Sequence, residues 1–402
     1  MLTQEIAGVS VRHSPAWADA RQLAYDCAGP LPPSKASLRE AIGHTLARAV
    51  TAPRDLPHYA SSAMDGWAIN GGGPWLLTTA GLPLSPGEAS TIATGGLVPA
   101  GASGVLRKES GQVSGEGQLL LRHDAKPGET LPGRHIRPAG EEARAGDVLI
   151  PAGTLLNPAH IALAAVAGHD HLQVQRKPRV AVVLTGSEVI TSGEPAAGQV
   201  RDAFGPQLDA VISQLGGEPG GQRRIGDSYE EWVGALGSVP GALPPDVTIT
   251  TGGTGKSGTD HFRQAVAALG GRFLLDEIAM RPGHPAVLAE LPEGRFIIGL
   301  PGNPLAAMMA LMTVGEPLLA ALGQRPLRPA GLMTSGADID PDPGRTRLIP
   351  CSVLHDVVFP ASRTGPGMMR GLAWADGYMA VPPEGVAAGA PVPVLPLPWT
   401  RS

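Results

Sequence analysis

The chain has 402 residues and a formal net charge of −5, is 43% apolar and only 4% aromatic. That length calls for two to four domains, the apolar share rules out global disorder, and a negative balance with no basic block argues against nucleic acid as the main partner. Cys27 and Cys351 stand alone with no C-x-x-C pair, which argues against a disulfide framework or a Cys-based zinc site and fits a reducing cytoplasm.

The opening MLTQEIAGVSVRHSP shows no charged-then-apolar signal pattern. SLREAIGHTLARAV (37–50) is predicted to form an amphipathic helix, opened by Ser37 with Glu40 three residues on, a capping box, and buried through Leu38, Ile42 and Leu46. From about 54 to 137, short apolar pieces alternate with turns, the pattern of a small β domain. Residues 138–176 return to turn, strand and helix. The expected organisation is therefore a discontinuous N-terminal helical and linker domain (1–53 and 138–176) with the β domain (54–137) inserted in it.

Past the linker Arg176-Lys177-Pro178, the continuous apolar run 180–184 suits a parallel strand buried on both faces. A helix follows with Leu208, Val211, Ile212 and Leu215 on one stripe and a Gly216 stop. Strand 246–251, helix 260–269, strands near 286–291 and 295–300, and helix 305–322 complete the alternation of a three-layer α/β domain over 177–323. Gly315, Glu316 and Pro317 interrupt the last helix, so it reads as a buried helix and not a membrane span. Residues 324–402 are β- and Pro-rich, as in the edge strands of a small barrel or sandwich. The fold class expected is multidomain α/β plus β.

Ligands of α/β domains bind beyond the carboxyl ends of the strands. Three Gly-rich loops are expected there: LTGSE (184–188), TTGGTGKSGTD (250–260) and GLPGNP (299–304). The second contains Gly-Lys-Ser, the tail of a P-loop, but position 250, where a P-loop needs its first glycine, is Thr250. A strand, a glycine loop and a helix still make a good anion cradle. The anion need not be ATP.

These loops, together with SSAMDGWAI (61–69), ATGGLVP (93–99), HIRPAGEEARAGD (135–147) and PAGT (151–154), resemble the molybdopterin molybdenumtransferase family, which includes the C-terminal domain of gephyrin. The resemblance runs from about residue 35 to the C-terminus. It implies four domains with a molybdopterin-binding α/β domain, an elongated homodimer and an active site between subunits. The reaction it implies turns molybdate and adenylated molybdopterin into molybdenum cofactor and AMP with a divalent metal, Mg²⁺. No nucleic acid and no membrane enter as partners.

That chemistry suits the residues. Glycines let backbone N–H groups approach phosphate, and Mg²⁺ on a pyrophosphate wants carboxylate oxygens. The family motifs put catalytic carboxylates at Asp65, Glu142, Glu188 and Asp260, and metal ligands at Asp65, Glu188, Asp227 and Asp260. Thr94, Arg137, Gly252, Gly253, Thr254, Lys256, Arg281, Pro301 and Asn303 occupy substrate-contacting positions. Each carboxylate also has an ordinary reading: Asp65-Gly66 as a turn dipeptide, Glu142 as a solvated carboxylate where the family usually has Asp, and Glu188, Asp227 and Asp260 at helix starts. Arg137 has one as a surface ion pair, and Asn303 as a turn former. The His169-Asp170-His171 turn reads as polar surface and not as a metal site.

Several family positions differ. A Lys-Pro-Gly-Lys-Pro motif is Arg281-Pro282-Gly283-His284-Pro285 here, Glu277 stands where some relatives have a further Lys, Asp202-Ala203-Phe204 stands where the family often has Asp-Ser-Asn or Asp-Thr-Asn, and Pro366 replaces a Ser after Gly365. A working enzyme with a rearranged phosphate site and a non-catalytic molybdopterin-binding paralogue are both compatible with these changes. Lys256 is a candidate replacement cation for the phosphates.

Overall fold

The computed structural model describes residues 3–6, 9–226, 228–237, 243–254 and 261–400, with backbone alone at 3–6 and 9–13. The chain divides into two compact units. One comprises residues 1–34, 43–45 and 174–402; the other comprises 35–42 and 46–173.

The first unit is built on an eight-stranded sheet. Its order is Thr3–Ile6, Val9–His13, Arg272–Asp276, Val287–Leu291, Arg295–Leu300, Val247–Thr251, Arg179–Leu184 and Glu218–Arg224. The last four strands run parallel. Arg272–Asp276, Val287–Leu291 and Arg295–Leu300 are paired antiparallel, an interruption that the sequence pattern did not reveal.

Strand alternation feeds two separate cores. Val180, Val182, Leu184, Ile249 and Ile298 pack with Leu208, Val211, Ile212 and the 304–322 helical run on one face. Val183, Val287, Ala289 and Ile297 pack with Trp232, Leu236, Phe262 and Val266 on the other. Sheet strands buried on both faces, with helices above and below, make the three layers. The 304–322 run is long and apolar enough to cross a membrane, but 94% of its most apolar window is buried inside the protein.

That run is α-helical at Pro304–Ala310, widens to a π turn at Leu311–Gly315 and resumes at Glu316–Leu322. The cause is local. Pro317 has no N–H to give the Thr313 carbonyl, and the Glu316 N–H bonds to the Leu311 carbonyl instead of Met312's. The Met312 carbonyl receives Nη1 of Arg21 at 3.0 Å, from the helix Trp17–Asp26.

The same unit ends in a second sheet, in the order Met280–Arg281, Thr346–Leu354, Val357–Pro360, Gly331–Ser335, Pro391–Pro396 and Gly377–Val381. Thr346–Leu354 also pairs with Gly377–Val381, which closes the last five strands into a barrel with no free edge. Met280–Arg281 reaches this sheet from the α/β text.

The second unit holds a six-stranded sheet in the order Gly111–Val113, Gln118–Leu121, Trp75–Thr78, Glu88–Ile92, Gly66–Ile69 and Gly104–Arg107. Ile69, Trp75, Ala89, Leu106 and Leu119 form its core. Pro158–Val166 is this unit's helix; Asn157 caps it by accepting the His160 N–H at 2.9 Å, and Pro158 fills the first turn, where no N–H is needed.

The helix expected over 37–50 does not form. The capping box does: Ser37 Oγ donates to Glu40 Oε2 at 2.7 Å, and the Glu40 N–H reaches Ser37 Oγ at 3.4 Å. Only a turn follows, because Gly43 takes φ +73° and the N–H groups of Leu46 and Ala47 bond to the carbonyls of Thr154 and Gln173. Tertiary partners outweigh a helix propensity worth tenths of a kcal/mol per residue. The strands Thr3–Ile6 and Val9–His13 and the helix Trp17–Asp26 lay in text that carried no clear pattern.

Glu129 is buried at 1% exposure in the second unit, paired with Arg107 through Nε at 3.1 Å and Nη2 at 2.6 Å, with His135 Nε2 at 3.5 Å. The Arg107 bond first, with help from Ser110, holds its carboxyl below the usual range. A carboxyl depressed in the folded state contributes stability above its unfolded pKa, and that contribution disappears as pH falls through the folded value. Glu129→Gln should therefore lower the melting temperature at pH 7, with the gap to wild type narrowing from about pH 5 to 3. A gap that stays constant over that range would assign Glu129 an uncharged role.

Candidate active site

In the first unit, the parallel strands Arg179–Leu184, Val247–Thr251 and Arg295–Leu300 end at one cleft of about 920 Å³, inside the ~300–1,000 Å³ range of small-molecule sites. Its walls come from 184–189, 200–204, 251–253 and 302–304, with Arg224, His261, Phe262, Gly367 and Met369. Arg179–Leu184 is followed in sequence by its neighbour on one side, Glu218–Arg224, and then by its neighbour on the other, Val247–Thr251. The chain thus reverses direction across the sheet at this point, which opens a crevice between the loops. All three Gly-rich loops of the sequence border it.

The loops are shaped by close backbone contacts. Thr185 Oγ1 donates to the Thr251 carbonyl. Gly252 has φ +90°, and a Cβ there would stand 2.6 Å from Thr185 Oγ1; at Gly253, φ +74°, a Cβ would stand 2.8 Å from the Trp232 ring. Only glycine fits either place. Glu188 is exposed on the cleft wall, anchored through its carbonyl, which accepts the Val200 N–H at 2.9 Å. Asn303 stands at the N-terminus of the 304–322 run without capping it, so its amide remains on the cleft wall. Thr250, where a P-loop would begin, is a buried residue of the strand Val247–Thr251.

Other expected residues stand elsewhere. Thr254 and Pro301 are buried behind the lining. Arg281 is in the barrel sheet, with Nη1 3.6 Å from Asp342 Oδ2. Glu277 and His284 face each other with His284 Nε2 3.6 Å from Glu277 Oε2; His284 Nδ1 lies 2.8 Å from the Ile278 carbonyl. Asp227, Lys256 and Asp260 lie outside the described residues.

The second unit holds Asp65, Thr94 and Arg137, and joins the first two directly. Asp65 Oδ1 accepts the Thr94 N–H at 2.6 Å and the Thr94 hydroxyl at 2.9 Å. These bonds, backbone first, hold the carboxyl below its usual range, with the charge of Lys108 adding to them. Gly66 then starts a strand at φ +153°, where a Cβ would lie 2.0 Å from the Leu106 carbonyl oxygen. Ser61–Ser62 pairs with Ile136–Arg137, bringing Arg137 opposite Ser61. All three residues are exposed. Glu142 is exposed too, its N–H bonded to the Leu56 carbonyl at 2.9 Å. In the His169-Asp170-His171 turn, His169 Nε2 lies 2.9 Å from the Thr51 carbonyl. Among the described residues, no three His, Cys, Asp or Glu side chains gather where they could hold a metal ion. Both thiols are free, and burial pushes each up to about 12.

Sequence reasoning overlooked Arg201, Arg224, Phe204, His261 and Met369 as cleft residues. In the sequence Phe204 and Pro366 stand out only as departures from the family pattern; the 365–369 segment supplies Gly367 and Met369 to the wall.

Three family profiles match in order: the MoeA N-terminal region (domains I and II) over 16–168, a probable molybdopterin binding domain over 181–321, and the MoeA C-terminal region (domain IV) over 333–397. A molybdopterin molybdenumtransferase of a Nostoc species is 32% identical over 305 residues, covering 70% of this chain and 68% of that one. The chain belongs to the molybdopterin molybdenumtransferase family. Molybdopterin molybdenumtransferase 2 of Mycobacterium tuberculosis, another member, is 29% identical across 91% of this chain and 95% of its own. The family fold is also seen in the crystal structure of a molybdopterin biosynthesis MoeA protein from Pyrococcus horikoshii. That structure has a TM-score of 0.77 at 23% identity, covering 96% of this chain and 99% of that one. The multidomain fold, with its α/β domain and closed C-terminal sheet, is therefore the family's.

Proposed function

We infer that this chain is a molybdopterin molybdenumtransferase of molybdenum cofactor biosynthesis, which inserts molybdate into adenylated molybdopterin and releases AMP. The observation that carries the reading is the cleft at the carboxyl ends of the parallel strands, bordered by all three Gly-rich loops of a family member. Its volume suits a pterin nucleotide, and its glycines allow close backbone approach to phosphate.

Mg²⁺ can be held through one or two carboxylates plus substrate phosphates. Glu188 supplies one exposed carboxylate on the cleft wall, while Asp202 is committed to Arg224 and two backbone N–H groups. The donor set fits a metal shared with substrate, with Asp227 and Asp260 as further proposed ligands. Bound there, the ion would neutralise charge on the pyrophosphate. The protein's own part is positioning: the glycine loops orient the phosphates, and Asn303 offers an amide to the heterocycles. Asp65, Thr94, Arg137 and Glu142 are proposed to serve molybdate and the attack on the pyrophosphate. A cytoplasmic homodimer belongs to the same proposal.

The test is AMP formation by the purified protein from adenylated molybdopterin, Mg²⁺ and molybdate. Tight binding of that substrate without AMP release would favour a non-catalytic carrier. The dimer has its own test. Asp65→Asn and Asp260→Asn protomers, each inactive alone, should recover part of the activity when mixed, if the two residues act from different chains. No recovery in verified mixed dimers would assign both to one chain.

A further inference from the structure

The cleft must meet a substrate carrying several phosphate charges, yet the family's lysine positions do not supply its cations: Glu277 and His284 face each other, and Arg281 is turned to Asp342. Among the described lining residues, the cations are Arg201 and Arg224.

Arg224 is the last residue of the edge strand Glu218–Arg224, which carries it to the carboxyl end of the sheet. Its Nη2 donates to Asp202 Oδ2 at 2.7 Å, the partner of its guanidinium among the described residues. The Asp202 side chain is only 7% exposed against 31% for Arg224. Its other oxygen accepts the N–H groups of Phe204 at 2.9 Å and Gly205 at 3.1 Å, fixing the carboxylate at the start of the helix Gly205–Gln214. A fixed carboxylate holds one edge of the planar guanidinium and leaves its remaining N–H groups for another acceptor, the geometry suited to phosphate. Arg201 is tethered as well, through Nη1 to the Ile190 carbonyl at 3.2 Å. His261 adds a buried Nδ1 with no hydrogen-bond partner among the described residues. The same Asp202 accepts the Phe204 N–H, and Phe204 is also part of the cleft wall.

We propose that Arg224, positioned by Asp202 and seconded by Arg201, is a phosphate-binding residue of the cleft that contacts the nucleotide half of the substrate. The proposal rests on the functional reading above and names which residues replace the lost cations.

Calorimetric titration of the full-length protein with AMP and with adenosine tests it. AMP should bind at least ~10-fold more tightly than adenosine, with an affinity that falls as salt rises. Arg224→Gln should weaken AMP by about 10–100-fold and leave adenosine unchanged, and Arg224→Lys should fall between, because a point charge replaces a fork. Equal wild-type affinity for AMP and adenosine overturns the proposal, as does an unchanged AMP affinity in folded Arg224→Gln. If that variant does not fold, the Lys variant and the wild-type salt slopes decide: a salt-independent AMP affinity overturns the proposal. AMP release assayed alongside keeps the two ideas apart. Turnover without an Arg224 effect on AMP sinks only the phosphate contact; an Arg224-dependent AMP site without turnover sinks only the transferase reading.

Discussion

Asp65→Asn should abolish most activity while leaving the melting curve in place. Asp65 is exposed, so the substitution creates no cavity. Its Oδ1 accepts the N–H and hydroxyl of Thr94, and an asparagine carbonyl oxygen can accept both. The turn into Gly66 is therefore kept, and what is lost is the negative charge. That charge is secure in the wild type, because the Thr94 bonds, and then Lys108, hold the carboxyl below its usual range. No ionisation of Asp65 should then appear in a pH–rate profile near neutrality. If the carboxylate orients molybdate, metal or water, AMP release should fall by about 10²–10⁴, the range for a positioned acid–base group. Full activity with an unchanged melt would reduce Asp65 to a turn residue. Parallel loss of activity and stability would make its role structural.

The largest stability effect is expected at Arg21. This residue is 4% exposed and ties the helix Trp17–Asp26 to the 304–322 run, the strand Gly377–Val381 and the Arg328 backbone of the first unit. Nη1 donates to the Met312 carbonyl at 3.0 Å and lies 3.4 Å from Glu316 Oε2 and 3.5 Å from Tyr378 Oη; Nη2 donates to the Arg328 carbonyl at 3.0 Å. Met312 has no substitute donor, since the Glu316 N–H goes to Leu311 and Pro317 has no N–H. Arg21→Ala should thus strand a buried carbonyl and weaken the compensation of Glu316, leaving Arg328 as its remaining ion-pair partner at 3.4 Å. Removal of one partner from a buried pair costs about 3–5 kcal/mol. Urea unfolding should register that loss in the first unit. Arg21→Met, which refills the volume, should recover part of the packing and none of the hydrogen bonds. A loss below about 1 kcal/mol in the Ala variant would show that water replaces the guanidinium without strain.

Most of the α/β core was legible because its cause is local. Runs such as 180–184 and 295–300 carry apolar residues at nearly every position, and a strand buried on both faces requires that. The Leu208, Val211, Ile212 and Leu215 stripe likewise states a helix and its buried side. The motif loops were legible because glycine at 252 and 253 answers a backbone need that no other residue meets.

What stayed hidden depends on partners distant in sequence. Residues 37–50 carry a genuine helix start, and the Ser37–Glu40 capping box forms as read. The helix nonetheless fails, because the next N–H groups find better acceptors more than a hundred residues away. The strands at 3–6 and 9–13 are recruited by the edge of a sheet completed at 272–276, which no local pattern states. The site divides in the same way. Asp65 and Thr94 could be chosen from motifs, but their bond is a tertiary fact. Arg224 ends an unremarkable polar strand, and only the order of the sheet brings it to the cleft beside Asp202. Sequence periodicity determined which segments could be buried; chain reversal and strand order decided which charges face the same space, because electrostatic neighbours are set by distance in space and not along the chain.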